Sequence, residues 1–519
     1  MNKNTVIAIV LSFLVVFTWT QITNKNQKSS QSKTGNAEKV EIQPVRSSII
    51  SQGQPESILK TVGQEPVLSQ TFILENNASK IIFGAKGEMQ SFLVKEKNGS
   101  LTDLVYSAKS FPLTVNPSII YTTSETMERP NGEALVLNGM IDDKVSVRTS
   151  YNYLNDQGLV AVSLELTNIS PLSLHIENFK VGLGPGINTS EEVSEKVMMR
   201  DMKGFYYSAG ELTKKPKIGR SSGIQNGWIA VTNHYFISAI IDSNNIFEEV
   251  QVTNKKLPEL FLSTDLRLDV GETKTLNFQT LWGIKNYDYL TSLDNDLHKT
   301  ISLGIFAPLG KLIMWLLAKF YEMTGNYGIA IILLTTIMQL ILLPLNKKSF
   351  ESMHKLKKVQ PKLEKLKKKY KDNPQNLNME MMALYKREKV NPFGGCLPIL
   401  LQLPIFWALF TVLRNATELR YAPFLLWIND LSKPDTVAVL FGVPINILPI
   451  LMGGMMFVSQ KLNTGQTSDP MQAKMLTFMP IMFLFMFWNF PSGLVLYWLF
   501  SNIYTVCLNL YLTVKNKEA

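Results

Sequence analysis

The sequence predicts an α-helical membrane bundle of six transmembrane helices, with a large extracytoplasmic all-β sandwich inserted after the first. Three observations carry this reading. Apolar runs of spanning length crowd residues 300–514 and occur once more near the N-terminus. Period-two alternation fills residues 67–295, and one strongly basic stretch interrupts the apolar half. Roughly 20 apolar residues cross the hydrocarbon core as a helix, whereas alternation marks a half-buried strand. The average composition, 45% hydrophobic and 18% charged over 519 residues, conceals these two unlike halves.

Taken in order, Val6–Trp19 follows Met1-Asn2-Lys3-Asn4 and runs into polar sequence with no small-x-small cleavage site. It reads as an uncleaved anchor over 1–22. Residues 23–66 are rich in Ser, Gln, Asn and Lys and lack aromatics, as a flexible tether does. The β-sandwich is expected over 67–298. Val160, Val162, Leu164 and Leu166 alternate with Ala161, Ser163, Glu165 and Thr167, after the Asn155-Asp156-Gln157-Gly158 turn. Strand-like stretches recur at Trp228–Ile241 and Leu260–Val270, with turns at Asn98-Gly99, Asn131-Gly132 and Gly182–Gly186. The two cysteines, Cys396 and Cys507, lie in the apolar half, so disulfides do not build the β region.

Residues 299–324 form an amphipathic segment, with Lys311 and Lys319 punctuating an apolar helix pattern suited to the membrane interface. A five-helix core is expected over 325–514, its spans being Tyr327–Leu345, Cys396–Val412, Val437–Val458, Met475–Phe490 and Leu494–Thr513. Residues 515–519 are a short tail. Between the first two core spans, residues 346–395 carry fourteen Lys and Arg against five acids. Short basic loops stay cytoplasmic, which puts both termini inside and the β region outside. This stretch reads as a helical hairpin. Leu356, Val359, Leu363, Leu366 and Tyr370 make a stripe, Asp372-Asn373-Pro374 breaks it, and Met381, Leu384 and Tyr385 return. Its outward lysines, Lys355, Lys358, Lys362, Lys365 and Lys368, suit a docking arm for a ribosome, a nascent chain or anionic lipid headgroups.

Gln339 is the one strongly polar residue deep in the first core span, about twelve residues or roughly 18 Å from its outer end. In the last span Trp498, Asn502, Thr505 and Asn509 step by four, three and four along one helix face. Gln402 sits near the inner start of its span at a similar depth. Polar groups within a bilayer face partners or wet cavities, so these six residues are candidates for a hydrated concavity. A hydrophilic segment could enter it without losing its hydrogen bonds. Interhelical bonding would occupy the same residue types. Leu334 is expected to face lipid.

Other functions fit less well. The five core spans lack Asp, Glu, Lys and Arg and show no repeat, against a transporter. His175 and His234 have no local carboxylate motif, against an enzyme, and no clustered ligands call for a metal or other cofactor. Gly304 and Gly310 precede Lys311-Leu312, where a P-loop needs Lys-Ser or Lys-Thr. The formal charge of +10 is concentrated beside apolar spans, which favours membrane topology over DNA binding.

Several stretches resemble one family. Asn391-Pro392-Phe393-Gly394-Gly395-Cys396 opens one span, and Phe490-Pro491-Ser492-Gly493-Leu494-Val495-Leu496-Tyr497 joins the last two. Glu380–Lys386 and Asp469-Pro470-Met471-Gln472 match more weakly. Together they resemble the YidC/Oxa/Alb family of membrane protein insertases in its long Gram-negative form. The resemblance implies a protein of the bacterial inner membrane with a periplasmic β domain like sugar-mutarotase folds. It also implies a groove that receives nascent membrane proteins, alone or beside the Sec translocon, and no cofactor. Trp498 matches a position the family uses for client contact. Where the family pattern commonly places arginine in the groove, this chain has Gln339.

Overall fold

The computed structural model describes residues 71–518 except 107–110, 189–200, 224, 255–257, 371–372, 392–396 and 464–469. The expected N-terminal anchor, the linker and most of the Asn391–Cys396 motif therefore lie outside the described residues. The chain divides into two compact units between Lys285 and Asn286.

The first unit is antiparallel β. A nine-stranded sheet runs from edge strand Glu211–Lys214 to edge strand Ile120–Arg129, and a five-stranded sheet is built on Leu174–Pro185 and Glu259–Leu268. A smaller four-stranded sheet spans residues 72–103. All three contribute to one apolar core, which includes Phe83, Phe92, Phe179, Leu262, Val231 and Phe278. The alternating side chains Val160, Val162, Leu164 and Leu166 all point into it. Their strand pairs with Val145–Tyr153, Tyr153 opposite Val160, around a turn in which the Asn155 Oδ1 accepts the Gln157 N–H at 2.9 Å.

Two expectations need correction here. Trp228–Ile241 is not one strand but a hairpin of Gly227–Thr232 and Phe236–Asp242. Asn233 turns it, because its Oδ1 accepts the N–H groups of Tyr235 (3.0 Å) and Phe236 (2.8 Å). Gly182–Gly184 is not a turn but lies within the strand Leu174–Pro185. Glycine is needed there for close packing, since a Cβ on Gly182 would stand 2.6 Å from the Phe261 ring.

The second unit is helical: α1 (Tyr287–Ser292), α2 (Ala307–Thr324), α3 (Tyr327–Lys369), α4 (Pro374–Arg387), α5 (Leu397–Asn415), α6 (Ile447–Asn463), α7 (Pro470–Phe487) and α8 (Ser492–Glu518). Among the described residues, Gly304–Thr324, Tyr327–Lys369 and Ser492–Val514 are long and apolar enough to cross a membrane. Ile447–Leu462 and Phe478–Phe487 are shorter apolar helices. The segment expected to lie in the interface thus has spanning length. It buries Gly310, Ile313 and Leu317 and exposes Leu312, Trp315 and Met323.

α3 is continuous for 43 residues, about 65 Å at helical rise and roughly twice the hydrocarbon thickness. Its first half is apolar and its second half carries the basic stripe. The Asn326 side chain caps its start, accepting the N–H groups of Gly328 (2.8 Å) and Ile329 (3.2 Å). At the far end Val359 packs with Leu384 and Val390, flanked by Leu356, Leu363 and Leu366, so α4 folds back along α3. Leu334, expected at the lipid surface, is fully buried, whereas Leu340 and Ile341 are exposed.

The span expected over Val437–Val458 begins ten residues late. Thr436–Leu440 and Val443–Asn446 form a β-hairpin, and helix begins only at Ile447. Phe441 (φ 51°) and Gly442 (φ 77°) both take left-handed backbone, the two-residue reversal that joins right-twisted strands. The Val-rich flanks then favour strand.

Candidate functional site

α3, α5 and α8 each bring an uncharged polar residue to one point. Ser501 on α8 accepts a hydrogen bond from the Gln402 Nε2 on α5 at 3.0 Å. It accepts another from the Gln339 Nε2 on α3. The Gln339 Oε1 in turn accepts the Asn346 Nδ2 at 3.4 Å, and Gln402 also bonds the Tyr497 hydroxyl one turn before Ser501. Gln339 is only 8% exposed and Ser501 4%. A second link lies nearby. Thr336 donates its one proton to the Ile332 carbonyl (2.8 Å), so its contact with the Tyr504 hydroxyl has tyrosine as donor.

The reason is local. Gln339 lies about three turns into α3 and Ser501 about two and a half turns into α8, counted from starts at the same end of the bundle. That end is held in register by residues 413–446. The Asn326 Nδ2 donates to the Phe424 carbonyl (3.4 Å), the Gly493 N–H to the Leu431 carbonyl (3.0 Å), and the Ser492 hydroxyl to the Asp430 carbonyl (3.0 Å). The Asp435 carboxylate accepts the Leu448 N–H at the start of α6 (2.6 Å).

The Trp498–Asn509 face behaves differently from Gln339 and Gln402. Asn502 donates to the Trp498 carbonyl (2.8 Å) and Thr505 to the Ser501 carbonyl (2.9 Å), so both close on their own helix. Trp498 packs among aromatic rings of α5 and α7, with centroids 5.1 Å from Phe406, 5.8 Å from Phe483 and 5.3 Å from Phe487. Asn509 is 4% exposed, and its Nδ2 has no hydrogen-bond partner among the described residues. The Tyr497–Ser501 pair, one turn apart, lies roughly 60–100° round the helix from the expected stripe. Sequence reasoning missed it, although a serine in mid-span was a usable signal. In the basic hairpin Lys355, Lys358, Lys362, Lys365 and Lys368 are all exposed, and Lys362 pairs with Glu388 at 2.7 Å. The Lys357 Nζ reaches the Leu462 carbonyl at the end of α6, 3.1 Å away.

Comparison with known proteins bears directly on this bundle. Residues 319–519 match the model of the 60Kd inner membrane protein family, and residues 112–316 match the YidC periplasmic domain. The membrane protein insertase YidC of Endomicrobium trichonymphae is 37% identical, the match covering 85% of each chain. That of Geotalea uraniireducens (strain Rf4) is 33% identical over 99% of each. The chain belongs to the YidC family of membrane protein insertases. A crystal structure of an active YidC insertase with its first transmembrane domain resolved is 20% identical, covering 85% of this chain and 92% of its own, with a TM-score of 0.39. The YidC family is one of insertases and not of enzymes. The Gln339–Ser501–Gln402 cluster lies within the part of the chain matched by the inner membrane protein model, and the β unit overlaps the part matched by the YidC periplasmic domain.

Proposed function

We propose that this chain inserts nascent membrane proteins into the bacterial inner membrane by offering their polar segments replacement hydrogen bonds at the Gln339–Ser501–Gln402 clasp. The observation that carries it is the convergence of three helices on one serine hydroxyl. Interhelical bonds in membranes contribute only about 0.6 kcal/mol each, at most about 1.7. A client segment bringing its own donors and acceptors can therefore displace them at little cost, while in bare hydrocarbon it would leave polar groups unsatisfied. Client contacts extend along Trp498, Asn502, Thr505 and Asn509 toward the cytoplasm. The orphan amide of Asn509 is a donor awaiting an acceptor.

The reading includes six spans: the 1–22 anchor, the first half of α3, and α5 to α8, with α2 lying in the interface. Both termini and the basic hairpin are cytoplasmic and the β domain is periplasmic, as the charge asymmetry supports. The lysines of the hairpin serve as the dock for a ribosome or anionic headgroups, and the Sec translocon is a partner for some clients. Photocrosslinkers at Gln339, Trp498 and Asn502 test the proposal against a ribosome-bound single-span nascent chain, with exposed Leu340 and Ile341 as lipid-side controls. Adducts from the first three positions alone are expected. Equal yields at all five would leave the cluster as helix glue.

A further inference from the structure

We infer that the β-hairpin Thr436–Asn446 seats its tip in the headgroup–acyl boundary of the bilayer, as a lipid-facing foot beside the bundle. From Thr436 to Gln460 the chain carries no ionisable residue. Both faces of the strand Thr436–Leu440 are exposed, and the tip residue Phe441 is fully so. An isolated two-stranded hairpin is at best marginally stable in water, and one with Val437, Val439, Leu440, Phe441 and Val443 uncovered invites a partner.

Two further observations identify that partner as lipid. First, the exposed apolar surface continues from Val443 along α6 through Ile450, Leu451, Phe457 and Val458, which in a membrane protein is the surface that meets acyl chains. Second, tryptophans flank the hairpin, one beside its second strand and one at its root. The Trp488 Nε1 donates to the Pro444 carbonyl at 3.1 Å and the Trp427 Nε1 to the Asp435 carboxylate at 3.0 Å. Tryptophan is enriched at the membrane–water boundary. The tip residue is informative too. Phe441 occupies a left-handed position (φ 51°) that Asn, Asp or Gly would fill with less strain. Fully exposed there, its aromatic ring is placed for a contact outside the protein.

The backbone sets the depth. Each strand has an outer edge whose N–H and C=O groups are not paired by the other strand, and open edges are not tolerated in hydrocarbon. The tip therefore stops at interfacial depth, where water and glycerol carbonyls satisfy those groups, and only the Phe441 ring dips below.

The test uses the full chain with Cys396 and Cys507 replaced by Ser, carrying a bimane label on Phe441→Cys, in vesicles of phosphatidylethanolamine and phosphatidylglycerol. Lipids brominated near the glycerol end of the acyl chain are expected to quench this label severalfold more than lipids brominated near the methyl end. Aqueous iodide, supplied on both sides of the vesicle, is expected to quench it severalfold less than a label on Lys368→Cys. Val439→Cys, one pair of residues back from the tip, should follow the same order and guards against a tip-specific fault. Iodide access equal to that at Lys368→Cys overturns the inference. Shielding from iodide without quenching by either lipid also overturns it, and assigns the hairpin to a second copy of the chain.

Discussion

The Gln402 side chain of α5 and the Gln339 side chain of α3 both donate to the single hydroxyl of Ser501, with the Gln402 Nε2 3.0 Å away. One serine of α8 thus ties α3 to α5. Because the serine accepts twice, replacing it strands two amide donors at once. The loss of stability is modest, because each such bond contributes little in a membrane, and both glutamines are left with free donors.

Ser501→Ala is expected to destabilise the bundle by about 1 kcal/mol, from two membrane hydrogen bonds of about 0.6 kcal/mol each. Client crosslinking from Gln339 should rise at the same time. Equilibrium unfolding in mixed micelles measures the first and adduct yield the second. Unchanged stability would mean that the glutamines find other acceptors without loss.

Gln339→Arg is expected to make insertion depend on acidic residues in the translocated tail of the client. A guanidinium attracts a carboxylate, whereas the native amide binds it only as a neutral donor. Arginine at a helix centre also costs roughly 2.5–3.5 kcal/mol on the insertion scale, so a lower yield of folded protein is expected. Insertion of one client with and without its acidic residues should differ little in the native chain and strongly in the variant. A steep loss in the native chain on neutralising the client would sink the idea.

Asn509→Leu is expected to stabilise the bundle, because an unsatisfied buried amide costs about 1–3 kcal/mol. If that donor waits for a client, insertion should fall as stability rises. A variant both more stable and fully active would assign Asn509 to packing alone.

These residues also show what sequence can and cannot disclose. The period-two run Val160–Leu166 needed only one buried face to be read, and the Leu356–Leu366 stripe only a partner helix, which α4 supplies. Gln339 and Gln402 stood out because amides in apolar spans are rare. Ser501 did not, since choosing one stripe on a 3.6-residue helix over its neighbour depends on where the other helices lie. The hairpin around Phe441 was hidden for a different reason. A continuous apolar run carries no period to separate strand from helix, and an aromatic residue in left-handed backbone is not a turn signal.

Lys285, at the end of the nine-stranded sheet, gives the β unit a pH response of definite sign. It is 5% exposed and donates to the Asn233 carbonyl at 2.6 Å. Burial first, then the charge of Lys203, lowers its pKa from 10.5 to about 7, with Asp201 opposing. Between those values the unfolded chain holds a proton that the folded chain has released. Stability therefore rises with pH across that window, by about 1.4 kcal/mol per unit. This contribution is complete above the unfolded value and lost as pH falls to about 7. Lys285→Met should remove it, so the variant gains most over the native chain near neutral pH and least in alkali. Hydrogen exchange of Gly227–Thr232 and Phe236–Asp242 in the full chain, corrected for intrinsic rates between about pH 6 and 9, measures the slope. Parallel slopes for the two proteins would show that the lysine is charged in the fold and finds solvent that its burial conceals.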